Sequence, residues 1–165
     1  MAIFKRAAVA LSATALLGGG LLLSGTPAAA DAASSADVWY TFQNVGTDRN
    51  LDAFGNGSVL SWTPDATGTQ DFDLRTGALP GYQIASKHHP GKCATAKGVG
   101  KEVSLESCNS NVQAQYWNYN ISESGAAFQS RKFSRGCIQD NGNRSAVSLR
   151  PCTGAENQMW MALAH

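Results

Sequence analysis

Four cysteines, three histidines and a scatter of carboxylates are the residues of this chain whose types could do chemistry, and their spacing decides which. Cys93 and Cys108 stand fifteen apart, as do Cys137 and Cys152. Thiols so placed either bridge or hold a metal. Zinc needs a Cys-x-x-Cys step or a histidine pair in register with the cysteines, and the chain has neither. His88-His89 precede Pro90-Gly91 among Lys87, Lys92 and Lys97, which reads as a solvated loop. No Gly-x-Ser-x-Gly elbow supports a nucleophilic serine, and no glycine-rich phosphate loop is present. The expectation is four disulfide-bonded cysteines, no metal, no cofactor and no enzymatic activity.

The elements that position these residues come as a repeat. Gln115-Tyr116-Trp117 follows the first cysteine pair and Gln158-Met159-Trp160 the second, while Gln70-Asp71-Phe72 closes a weaker copy upstream. A period of this size decides architecture before any local pattern does. The units run over about 38–74, 82–120 and 127–162, with turn-rich junctions at Arg75–Gly81 and Ser122–Gly125. Four cysteines allow three pairings; equal spacing in equivalent places favours Cys93–Cys108 and Cys137–Cys152. Each bridge closes a loop worth roughly 3 kcal/mol in the chain-entropy model.

After residue 32 no stretch carries helical apolar spacing over ten residues. Short alternating runs such as Trp39–Phe42 and Ser58–Trp62, with turns between them, predict an all-β sandwich or barrel. Three units favour a barrel closed on itself, with the strand at Trp160 pairing with Trp39-Tyr40.

The N-terminus carries Lys5-Arg6, an apolar run over Ala7–Leu23 broken by Gly18-Gly19-Gly20, and small-x-small sites at Ala28–Ala30 and Ala30–Ala32. This predicts a secretory signal peptide over 1–32, a mobile polar leader over 33–37 and one domain over 38–165. Residues 33–165 hold 11 basic and 11 acidic side chains. That balance gives no support for nucleic acid or an anionic membrane as partner. With no second apolar span, the product is expected to be secreted, in a compartment where thiols oxidise.

Three such units, two with a cysteine pair and each closing on Gln-x-Trp or its variant, resemble the ricin B-type β-trefoil lectins over about Val38–Met161. The resemblance implies an all-β β-trefoil with pseudo-threefold symmetry. It implies that Trp117 and Trp160, with Phe72 in the equivalent place, pack in the core. The family's sugar pocket has an Asp two residues after the first cysteine position, an aromatic residue two before the second, and the closing Gln. Repeat one matches with Asp52, Trp62 and Gln70, although Asn50 replaces its cysteine. Repeat two has Thr95 and Glu106 at the Asp and aromatic places; repeat three has Gln139, with Asp140 adjacent, and Arg150. A carboxylate takes sugar hydroxyls as charge-assisted hydrogen bonds, and an aromatic face covers C–H bonds.

Two functions follow. The first is a carbohydrate-binding module with one weak site at Asp52, Trp62 and Gln70, where Asp52 accepts two hydroxyl hydrogens and can be removed without harm to the fold. The second is a degenerate trefoil that docks a secreted protein partner within a complex such as a toxin assembly, through surface near Glu106 and Arg150. Asp52 also reads as a turn cap and Trp62 as half-buried packing.

Overall fold

The computed structural model describes residues 38–55, 57–121 and 124–165; the expected signal peptide and leader lie outside them. Repeat one supplies β1 (Tyr40–Asn44), β2 (Asn50–Asp52), β3 (Leu60–Trp62) and β4 (Phe72–Arg75). Repeat two supplies β5 (Gln83–Ser86), β6 (Lys92–Ala96), β7 (Val103–Ser107) and β8 (Trp117–Asn118). In repeat three the first and third strands are each split, giving β9 (Ala126–Ala127), β10 (Gln129–Ser130), β11 (Gly136–Gln139), β12 (Ser145–Ala146), β13 (Ser148–Pro151) and β14 (Met159–Ala164). The only helices among the described residues are single 3₁₀ turns that end on each closing Gln, at Gly68–Gln70, Gln113–Gln115 and Glu156–Gln158. None is long and apolar enough to cross a membrane.

The first and last strands of the repeats close a barrel. β1 pairs with β4, β4 with β5, β8 with β10, and β9 with β14. A bridge between Tyr82 and Trp117 joins β5's end to β8. β1 pairs with β14 over five residues, from Tyr40 opposite Ala164 to Asn44 opposite Trp160. The expected closure of last strand on first is therefore present. The fold is an all-β β-trefoil.

The second and third strands of each repeat form hairpins that cap one end: β2 with β3, β6 with β7, and β11 with β13. Three valines, 44 residues apart, tie the caps around the axis. Val59 N–H donates to Val103 O, Val103 N–H to Val147 O, and Val147 N–H to Val59 O, at 3.3, 3.0 and 2.9 Å. Their side chains complete the core below, so the β-branched residue at this place serves both strand geometry and burial.

Equivalent residues of the three units fill that core. Trp117 and Trp160 are fully buried, and Phe72 occupies the third place. Each indole keeps its polar atom satisfied: Trp117 Nε1 donates to Ala94 O and Trp160 Nε1 to Ile138 O, both at 3.2 Å. Phe72 needs no such partner. Phe42 meets Phe128 edge-on at 4.9 Å, and Phe128 stacks on Tyr119 at 4.0 Å. Bridges join Cys93 to Cys108 and Cys137 to Cys152, each within its own repeat.

Candidate functional site

Gln70, Gln115 and Gln158 are buried and do the same work three times. Each side-chain amide donates to a carbonyl at the end of the cap hairpin: Thr63 O, Ser107 O and Pro151 O, at 3.1, 2.9 and 2.9 Å. Each carbonyl oxygen accepts a backbone N–H from the following loop, at Asp65, Asn109 and Thr153. The second amide hydrogen goes to the side chain two residues past the first cysteine position. That acceptor is Asp52 Oδ2 at 3.0 Å, Thr95 Oγ1 at 3.1 Å and Gln139 Oε1 at 3.1 Å. Gln70 thus braces its loop just as its two counterparts do.

The site residues of repeat one share a face. Antiparallel partners project to the same side, and alternate residues along a strand do likewise. Asn50 lies opposite Trp62 and Asp52 opposite Leu60. Asn50, Asp52, Leu60 and Trp62 therefore occupy the outer face of the hairpin, joined by Phe54 through its stacking on Trp62, while Leu51, Ala53, Val59 and Ser61 are buried on the inner one. The same register sets Glu106 opposite Cys93 and Arg150 opposite Cys137. Trp62, Glu106 and Arg150 are thus true equivalents.

Asp52 departs from its sequence-based expectation. Although on the outer face, it is only 1% exposed. The 63–70 segment folds over it, and its Oδ2 accepts from Gln70 Nε2 and from Thr69 Oγ1 at 3.1 Å. Its Oδ1 is buried and has no donor among the described residues. Burial raises the carboxyl's pKa above the ordinary value, an effect that the bonds from Gln70 and Thr69 oppose but do not cancel. Removing Asp52 would strip the brace of one acceptor, so the expectation that its loss leaves the fold untouched does not suit this geometry.

Trp62 is half-buried, and its ring has two neighbours. Phe54 stacks on it with ring centres 5.4 Å apart and 26° between planes. The Arg144 guanidinium lies 4.8 Å from the ring centre. Arg144 comes from the third hairpin turn, where it holds a left-handed φ of 62°; Gly100 stands at the equivalent place in the second turn with φ 86°. Both make the same bond to the next repeat, Gly100 N–H to Leu149 O and Arg144 N–H to Ser61 O. Thr63 N–H donates to Asn143 Oδ1 nearby. Repeat three therefore puts a cation against the ring of repeat one.

The other two outer faces carry different chemistry. Glu106 pairs with Lys97. Arg150 Nε donates to Ser148 Oγ, which also bonds Asn141. Where repeat one lacks its bridge, Asn50 and Pro64 line a cleft of about 420 Å³ with Thr41, Thr67, Gln70 and Asp71 among its walls. A cleft of about 350 Å³ beside Cys137 and Cys152 occupies the matching place in repeat three. His88 and His89 contact each other edge-on, and no group of three metal-ligating side chains occurs among the described residues.

Sequence reasoning placed Asp52, Trp62 and Gln70 together, and the fold does bring them together. It missed Phe54, whose signal was its even spacing from Asn50 and Asp52. It also missed Arg144, and it noted Asp140 only as the carboxylate beside Gln139; both act across repeats. Asp140 is buried and joins repeat three to repeat one: Oδ2 meets Arg49 Nη2 at 2.9 Å and the Thr47 hydroxyl, and Oδ1 accepts Gly142 N–H at 2.7 Å.

Solved structures with this fold include a designed threefold-symmetric protein, ThreeFoil, at 16% identity and TM-score 0.63, covering 76% of this chain and 97% of that one. The Rhizoctonia solani agglutinin follows at 17% identity and TM-score 0.62, covering 77% and 94%. A mosquitocidal holotoxin matches at 17% identity and TM-score 0.65, covering 76% of this chain but 16% of that chain. At these identities the likeness is one of fold. A search of curated protein sequences finds no match. The family model of the ricin-type beta-trefoil lectin domain matches residues 38–162, and the chain belongs to that family.

Proposed function

We propose that this chain is a secreted carbohydrate-binding module with one sugar site, on the outer face of repeat one beside Asp52, Trp62 and Gln70. A non-catalytic, carbohydrate-binding role is what its family carries. The observation that supports this place is the joint presence of stacked aromatic rings and a carboxylate with one oxygen lacking a donor among the described residues. The rings cover the C–H bonds of a sugar, and the buried Asp52 carboxylate stands behind them. Access to Asp52 Oδ1 requires the 63–70 segment to yield, so Asp52 acts chiefly by setting Gln70 and Thr69. One shallow site of this kind binds on the order of millimolar, and useful avidity would come from several copies.

The test is a glycan array on the chain and on its Trp62→Ala variant, with melting measured on both. Binding that the variant loses while it stays folded supports the reading. Absence of binding by the wild type on every glycan contradicts it.

A second reading is docking to a secreted protein, as a subunit of a larger complex. It is favoured by the ion pair at Glu106 and the Arg150–Ser148 network standing where rings would be needed for sugar. It predicts that the wild type captures a protein from its own culture fluid, and that Glu106→Arg with Arg150→Glu abolishes capture.

A further inference from the structure

We propose that the ring a sugar lies on in repeat one is Phe54, with Trp62 as its support. This rests on the sugar reading above and changes which residue makes the contact. Stacking of C–H bonds on an aromatic ring needs a ring face open to water in the free protein. Trp62 is half-buried and already carries two stacking neighbours, Phe54 at 5.4 Å and the Arg144 guanidinium at 4.8 Å. Phe54 is 54% exposed, the most open of the large apolar side chains among the described residues.

A lone exposed phenylalanine would be unremarked, since much of any protein surface is apolar. Phe54 is not lone. Its ring is stacked on one that is itself held in place. Arg144 is pinned by its backbone bond to Ser61 O at 2.7 Å, and its guanidinium faces the indole in a cation–π contact. A ring fixed before binding loses little freedom on binding. Its stacking on Trp62, whose strand partner is Asn50, puts Phe54 on the face that bears Asn50 and Asp52, so a sugar resting on it would lie on the outer side of that face.

The ligand this suits is a pyranose with an unbroken face of C–H bonds, since the phenyl ring offers no polar atom to its guest. Trp62 then sets where the ring stands, and Arg144 sets where Trp62 stands.

The experiment titrates methyl pyranosides (galactoside, glucoside, mannoside and N-acetylglucosaminide) into the intact chain carrying labelled Phe and Trp rings. Intermolecular nuclear Overhauser effects should run from sugar C–H protons to the Phe54 ring rather than to the Trp62 indole. Phe54→Ala should weaken binding by about tenfold and keep its melting temperature within about 2 °C. Phe54→Tyr should stay within about threefold of the wild type. If Phe54→Ala binds as the wild type does while Trp62→Ala does not, Trp62 is the platform and this proposal falls, although the sugar reading stands. If no glycoside binds the wild type, both fall. The Overhauser contacts come from the wild type and do not depend on the folding of any variant.

Discussion

Asp140 joins the last repeat to the first, and removing its charge should cost more than any surface change. The carboxylate is buried; it meets Arg49 through Nε at 3.0 Å and Nη2 at 2.9 Å, and it holds the Thr47 hydroxyl and the Gly142 N–H. Breaking a buried pair by deleting one partner costs about 3–5 kcal/mol. Arg49's side chain is 25% exposed and can rehydrate, which puts Asp140→Ala at about 3 kcal/mol. For a domain of this size that is a fall of about 10 °C in melting temperature. Asp140→Asn keeps one oxygen and should lose about half as much. Burial alone would raise the Asp140 pKa, but bonds from Thr47, Gly142 N–H and Arg49 outweigh it and hold the carboxyl below its ordinary 3.8. A depressed folded value means this stability is fully present above the unfolded value and is lost as pH falls through the folded one. Asn does not titrate, so the gap between wild type and Asp140→Asn should narrow as pH drops below about 4. Calorimetric melting from pH 7 to pH 3 measures both effects. A gap equal at both ends, or an Asp140→Ala variant that melts within about 2 °C of the wild type, would refute the charge-based account.

Trp117→Ala and Trp160→Ala should each cost roughly 3–5 kcal/mol in denaturant unfolding, because each empties a fully buried indole site and strands a carbonyl. Asp52→Asn should behave oppositely in pH: the raised folded pKa means wild-type stability falls as pH rises from the unfolded value through the folded one. The variant's melting temperature should therefore gain on the wild type between acid and neutral pH, and a constant difference would contradict burial as the cause. Asn50→Cys with Pro64→Cys restores the missing bridge at the place where both natural pairs have Cα atoms 5.0 Å apart. The pair should oxidise and stabilise by up to about 3 kcal/mol, read as a rise in melting temperature that a reductant abolishes.

Most of the fold was legible because its signals repeat. Gln70, Gln115 and Gln158 mark three copies of one brace, and the spacing of the cysteines marks two copies of one hairpin. The buried places of Trp117, Trp160 and Phe72 follow from the same register. The site was legible only within one repeat. Asp52, Trp62 and Gln70 are brought together by local strand pairing and one loop, which spacing can express. Arg144 reaches Trp62, and Asp140 reaches Arg49, across the join between repeats three and one, where sequence separation exceeds eighty residues and no local pattern encodes the contact. The burial of Asp52 escaped for a related reason. Strand parity puts it on the outer face, and only the path of the 63–70 segment covers it.

Amide chemical-shift mapping of the intact chain, with whichever glycoside binds best, tests the sugar site of repeat one most directly. Perturbed resonances should gather at Asp52–Phe54, Trp62-Thr63, Thr69-Gln70 and the adjoining Asn143-Arg144. Perturbations gathered instead around Glu106 or Arg150, or none with any glycoside, would contradict it.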